Sequence, residues 1–170
     1  MMRRIIALAP AALIAAMVGN VQAATQADVM LQGTIADTTC EVTANHGAAT
    51  LNVGAYAKTQ FTAAKKQVGS EPLFVTLKNC SPDANGALQV TGVVGTEKDV
   101  FLSDIGQAAG FMLTPEDSTT AVANGVSIPV TADKDGSLEY TFTAGMAVLN
   151  KEAVQPGSYH APIKISYVSN

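Results

Sequence analysis

The sequence predicts an all-β protein, a single antiparallel β-sandwich, and three observations point there. Short stretches of alternation recur, the cleanest placing Leu138, Tyr140, Phe142 and Ala144 on one face and Glu139, Thr141 and Thr143 on the other. Clusters of Gly, Pro, Asn and Asp punctuate these stretches, as at residues 81–86, 124–125, 134–136 and 156–157. Beyond residue 23 no run keeps the apolar period of an amphipathic helix. Roughly seven short strands divided by turns, without repeat or linker, make one sandwich domain.

The start of the chain differs in character. Arg3 and Arg4 precede an apolar run over residues 5–18, and Val21, Gln22 and Ala23 follow with small residues where signal peptidase needs them. Residues 1–23 therefore read as a signal peptide. As a membrane anchor the run falls short of the roughly 20 apolar residues a span requires, and Pro10 interrupts it. Removing 23 of 170 residues leaves 147, enough for one domain with its own core. It also removes two of the ten basic residues, leaving eight against 14 acidic ones, a formal charge of −6. A modestly acidic chain without basic clusters has no footprint for nucleic acid.

Export also decides how the cysteines read. Cys40 and Cys80 are the only two, and in an oxidising compartment their pairing is the default. The alternatives are a reactive thiol or a metal site, and the metal site would lack partners, because neither His46 nor His160 stands at ligand spacing from a cysteine. No nucleophile elbow, paired acidic motif or HExxH sequence occurs, so no residue is a candidate for catalysis or for holding a cofactor.

The elements follow in order. In residues 24–40, an extended chain puts Ala27, Val29, Leu31, Gly33 and Ile35 on one face and Asp28, Gln32 and Thr34 on the other, with Met30 the apolar exception. Glu41, Val42 and Thr43 continue the strand into a polar loop holding His46. Leu51 and Val53 form a short apolar pair, and residues 55–70 are irregular, with Phe61 the one large apolar side chain. Leu73, Val75 and Leu77 alternate toward Cys80, which lies one residue out of phase and implies a bulge or a strand buried on both faces. Residues 88–94 form the next strand, with Gly92 marking a bend or a close backbone approach.

Phe101 with Leu102, and then residues 110–113, are short buried patches before Pro115. Val126, Ile128 and Val130 alternate, and Pro129 between them argues for an edge or a strand end. The strand of Phe142 follows, with Met146 and Val148 in phase to extend it. Last, Tyr159, Ala161, Ile163, Ile165 and Tyr167 face one way and His160, Lys164 and Ser166 the other. No strand follows to cover the far edge of this one, so that edge is expected to stand open.

These residues together resemble the pilin subunits of chaperone-usher fimbriae of the type 1 kind. The matching features begin with Gly33 seven residues before Cys40, the run Leu51, Asn52, Val53 and Gly54 with Phe61 after it, and Leu73, Val75 and Leu77 leading to Cys80. They continue with Val90 and Gly92, Phe142 and Ala144, and Pro156, Gly157 and Tyr159 before Ile163, Ile165 and Tyr167. Each is weak alone; their order and spacing, across nearly all of the chain after residue 23, carry the specificity. Two departures stand out: three residues follow Tyr167 where the family ends one after its tyrosine, and Pro162 is expected to sit inside the terminal strand and to remove one donor from its ladder.

The resemblance implies an incomplete immunoglobulin-like antiparallel β-sandwich, lacking its seventh strand and completed by a donor strand from another subunit. It divides the chain into a signal peptide (residues 1–23), a donor-strand extension (24–36) and the pilin domain (37–170). Val29, Leu31, Gly33 and Ile35 would be the donor side chains, and Ile163, Ile165 and Tyr167 would border the acceptor groove and meet the chaperone. The implied partners are other pilin subunits, a periplasmic chaperone, an outer-membrane usher and a host glycan or protein receptor. The implied place is a fimbria on a Gram-negative surface, reached through the periplasm, where the subunit supports adhesion.

Two other readings compete. Residues 24–40 could be the first strand of a self-sufficient sandwich. The chain could also be a stand-alone or polymeric carbohydrate-binding adhesin, for which Tyr56 is the one candidate exposed aromatic near a loop tip.

Overall fold

The computed structural model describes residues 40–103 and 106–169. The signal peptide and the donor residues Val29, Leu31, Gly33 and Ile35 lie outside the described residues. Eight strands are described: β1 (Glu41–Ala44), β2 (Val68–Lys78), β3 (Asn85–Gly92), β4 (Phe101–Ser103), β5 (Gly106–Pro115), β6 (Ser127–Thr131), β7 (Leu138–Val148) and β8 (Ile163–Ser169). The only helical pieces among these residues are two single turns, Asn45–Gly47 and Lys58–Gln60.

The strands form two sheets, one ordered β1-β2-β7-β5-β4 and the other β6-β3-β8, and every pairing is antiparallel. Alternation explains why they face each other. Leu73 opposes Phe142 and Leu77 opposes Leu138 across β2 and β7, while β3 contributes Leu88 and Val90 from the other sheet. Phe101, Phe142, Leu77, Leu88, Val75 and Val90 are the heart of the core, all at 0% exposure. Complete burial of such side chains contributes about 1.5–3 kcal/mol each.

Several expectations acquire their physical reason here. Cys80 is out of phase because β2 stops at Lys78: Asn79 takes a left-handed φ of 56°, and the Cys80 N–H donates to the Gly136 carbonyl at 3.0 Å. The turn is therefore a strand end, neither bulge nor doubly buried strand. β2 also begins earlier than its alternation suggests, at Val68, through a register shift between Val68 and Glu71 that hides the period. Pro129 does lie on an edge strand, since among the described residues β6 pairs with β3 alone. Gly92 is the predicted close approach: a Cβ there would sit 2.9 Å from the Phe101 ring and 3.1 Å from the Pro162 carbonyl.

That approach closes one side of the sandwich. Beyond Gly92 the chain crosses to the other sheet, where Val94 bridges to Phe101 and the Leu102 N–H donates to the Val93 carbonyl at 2.8 Å. The free edge of β4 is thereby occupied. β6, on the same side, carries Pro129, which has no donor to offer a further strand. The opposite side, between β1 and β8, has no such closure among the described residues.

Candidate strand-acceptor groove

Among the described residues β8 has one neighbour, β3, with Leu88 opposite Tyr167, Val90 opposite Ile165 and Gly92 opposite Ile163. Directly opposed residues share a face, so all of these point into the sandwich. Their exposures nonetheless differ: Leu88 and Val90 are at 0%, whereas Ile163, Ile165 and Tyr167 remain half-buried. The same contrast recurs across the seam. Among the described residues β1 pairs only with β2, and Val42 is half-buried beside the fully buried Leu77. Each strand at the open side thus has an inward apolar face that its own sheet covers on one flank only. β1 lies near β8, so both half-covered apolar flanks fall on the same side of the sandwich.

Both flanks are held from behind. Cys40 and Cys80 form a disulfide that ties the entry of β1 to the residue just past β2, closing a separation of 40 residues. By the chain-entropy model such a closure contributes about 4 kcal/mol. Tyr167 anchors β8 at its other end: its ring lies over Gly86, where a Cβ would collide with it, and its buried hydroxyl has no hydrogen-bond partner among the described residues. Val42, two residues after Cys40, flanks the same open side and is not among the residues the sequence singles out. Its signal was present, because it alternates with Glu41 and Thr43, but which edge it would flank depends on the sheet order.

The terminal strand is shorter than expected, and one departure dissolves. β8 starts at Ile163 rather than at Tyr159, so Pro162 precedes the strand and removes no donor from its ladder. Proline disfavours continuation of a paired strand through its own position, and the ladder begins directly after it. Upstream, the Tyr159 hydroxyl donates to the Gln155 carbonyl at 2.6 Å within a loop, and the His160 N–H donates to the Ser103 hydroxyl at 3.2 Å.

The remaining polar candidates are dispersed. His46 stacks on Phe74 with ring centroids 4.8 Å apart, and the Tyr56 hydroxyl donates to the Val53 carbonyl while its ring meets the edge of Phe61. Tyr56 is half-buried and engaged in its own loop, which leaves little of it for a sugar. Among the described residues no group of three or more His, Cys, Asp or Glu is placed to hold a metal ion, and no helix is long and apolar enough to cross a membrane. Asp133 is a structural carboxylate. It accepts from the backbone and hydroxyl of Ser137, each at 2.8 Å, and from the Asp135 N–H, and these bonds hold its pKa below the ordinary aspartate value.

The family model described as fimbrial protein matches residues 29–167, which is most of the chain. The chain belongs to the fimbrial protein family. It is a structural pilus subunit. No curated protein matches it in sequence. Among solved structures, the fimbrial chain is similar in fold to the P pilus rod subunit PapA, with a TM-score of 0.63 at 18% identity over 77% of this chain and 99% of that one. It is likewise similar to a chain from a chaperone-usher pilus structure concerned with rod uncoiling, with a TM-score of 0.62 at 18% identity over 85% of this chain and 96% of the other. The all-β, immunoglobulin-like pilin sandwich expected from the sequence is the fold observed.

Proposed function

We propose that this fimbrial subunit polymerises by donor-strand exchange, the cleft between β1 and β8 receiving residues 29–35 of a neighbouring subunit. The observation that carries the reading is the contrast in burial across β3 and β8, where Val90 is fully buried and its partner Ile165 is not. An inserted strand covers that apolar face and pairs the open backbone edge in one step. A seven-residue donor spans about 24 Å, comparable with β8 itself. Because donating and accepting surfaces differ, repetition gives an open filament.

In this reading a periplasmic chaperone fills the cleft first, an outer-membrane usher hands it to the next subunit, and Ile163, Ile165 and Tyr167 meet each occupant in turn. Residues 1–23 direct export, residues 24–36 form the donor extension, and the filament stands on a Gram-negative cell surface, where it supports adhesion to a host glycan or protein. The role is structural rather than enzymatic. Deletion of residues 24–35 is the test. The truncated subunit is expected to be recovered with chaperone and to form no heat-sensitive polymer on unheated gels. Normal filaments from it would refute the reading.

A further inference from the structure

We propose that the donor is a second copy of this same chain, seated antiparallel to β8 in one register: Val29 beside Ser169, Leu31 beside Tyr167, Gly33 beside Ile165 and Ile35 beside Ile163. The inference rests on the donor-strand reading and adds the donor's identity and alignment. Every strand pair described in the molecule is antiparallel, and a parallel addition is slightly less stable per residue. The inward faces of donor and β8 must coincide, so the permitted registers differ by steps of two residues.

Two independent observations choose among those registers. The first is length. β8 has seven residues, Ile163–Ser169, and the alternating donor segment over residues 29–35 also has seven, so this register alone pairs both end to end.

The second is a pair of residues that break their patterns. Met30 is apolar on the donor's polar face. Val168 is apolar on the outer face of β8 and 45% exposed. The proposed register sets them side by side. Val168 already pairs with Ala87, and Ala87 pairs with the exposed Pro129 of β6, so Met30 completes an apolar row across four strands of the outer face. A shift of two one way places Asp28 beside Val168 and Met30 beside Ser166. A shift the other way moves Met30 past the strand, to Asn170, and sets Gln32 beside Val168. It gives nothing in return, since the residue it brings beside Lys164 is Ala36, which has no charge to offer. Both exceptions belong to one polypeptide, and each gives the other its place. That points to a copy of this chain as the donor.

Cysteine pairing reads the register. Directly opposed residues in an antiparallel pair have Cα atoms about 4.5–5.5 Å apart, inside the disulfide range of about 4.4–6.8 Å, whereas residues two positions off are not. Met30→Cys is placed in one copy of the full chain and Val168→Cys in another. The two are co-expressed with the export and assembly machinery, and filaments are oxidised and run heated without reductant. Covalent dimers are expected, at least five times more abundant than from Met30→Cys with Ser166→Cys or Gln32→Cys with Val168→Cys. A stronger cross-link from either shifted combination overturns the register and leaves the donor reading standing. Filaments that need residues 24–35 yet give no cross-link from any combination overturn the choice of donor. Filaments that form without residues 24–35 defeat the donor reading itself. Should the added thiols disturb the Cys40–Cys80 bond, Met30→Glu and Val168→Lys report the same contact. Each alone is expected to lower the heat resistance of the polymer and the two together to restore it; absence of restoration overturns the register.

Discussion

Ile165→Ala tests the proposed groove against the ordinary core. In the lone subunit Ile165 is half-buried, so covering its remaining apolar surface with a donor strand adds about 0.5–1 kcal/mol at 25 cal/mol per Å2. Truncation to Ala forfeits that increment and leaves under the inserted strand a gap that relaxation only partly closes, adding about as much again. The donor-loaded state therefore loses about 1–2 kcal/mol more than the lone subunit, which is a roughly 5- to 30-fold loss of donor affinity. Val148→Ala is the contrast. Val148 is at 0% exposure in a separate cluster with Phe61, Ala109 and Val154, so its truncation destabilises loaded and unloaded subunit alike. The assay is competition for a limiting labelled peptide of residues 24–36 between wild-type subunit and each variant. Ile165→Ala should lose the competition by the stated factor, and Val148→Ala should share the peptide evenly. An even split for Ile165→Ala, or an equal loss for both variants, would refute the assignment of Ile165 to the groove.

Three further outcomes are expected. Tyr167→Phe removes a buried hydroxyl that has no partner among the described residues, so the subunit should gain about 1 kcal/mol in urea denaturation; a loss of that size would mean the hydroxyl is bonded. Gly136→Ala places a methyl against the Cys80 carbonyl at a φ of 69°, and should cost at least about 1 kcal/mol, read as a lowered thermal midpoint with the disulfide intact. Asp133→Asn tests pH linkage. The Asp133 pKa is depressed in the folded state, so its contribution is fully present above the unfolded aspartate value and disappears as pH falls through the folded one. The gap in thermal midpoint between wild type and Asp133→Asn should accordingly be widest near neutrality and close on acidification below about pH 4; a gap that widens in acid would contradict the assigned hydrogen bonds.

How much of this could be read from the residues depends on whether a signal is local. Strand faces are local, because alternation reports them directly: the inward sets of β2, β7 and β8 around Leu77, Phe142 and Ile165 are the ones observed. Pro129 on an edge and Gly92 at a close approach were legible for the same reason, since each residue type limits what its own backbone can do. Boundaries failed where the cause lay elsewhere. The early start of β2 is masked by a register shift that only its partner β7 reveals, and the phase of Cys80 is set by Asn79 together with a carbonyl more than fifty residues away, that of Gly136. The proposed groove is of both kinds: Ile163, Ile165 and Tyr167 follow from their alternation and the family resemblance, whereas the place of Val42 depends on sheet order. No residue of β8 announces an open edge; Ile163, Ile165 and Tyr167 would read identically in a central strand. The chain crosses between the sheets just past Gly92 and closes the side of β4 and β6, which leaves β1 and β8, each with one neighbour among the described residues, on the side without such a closure. The half-burial of Ile165 is thus a property of strand order, and strand order is what an incoming strand would complete.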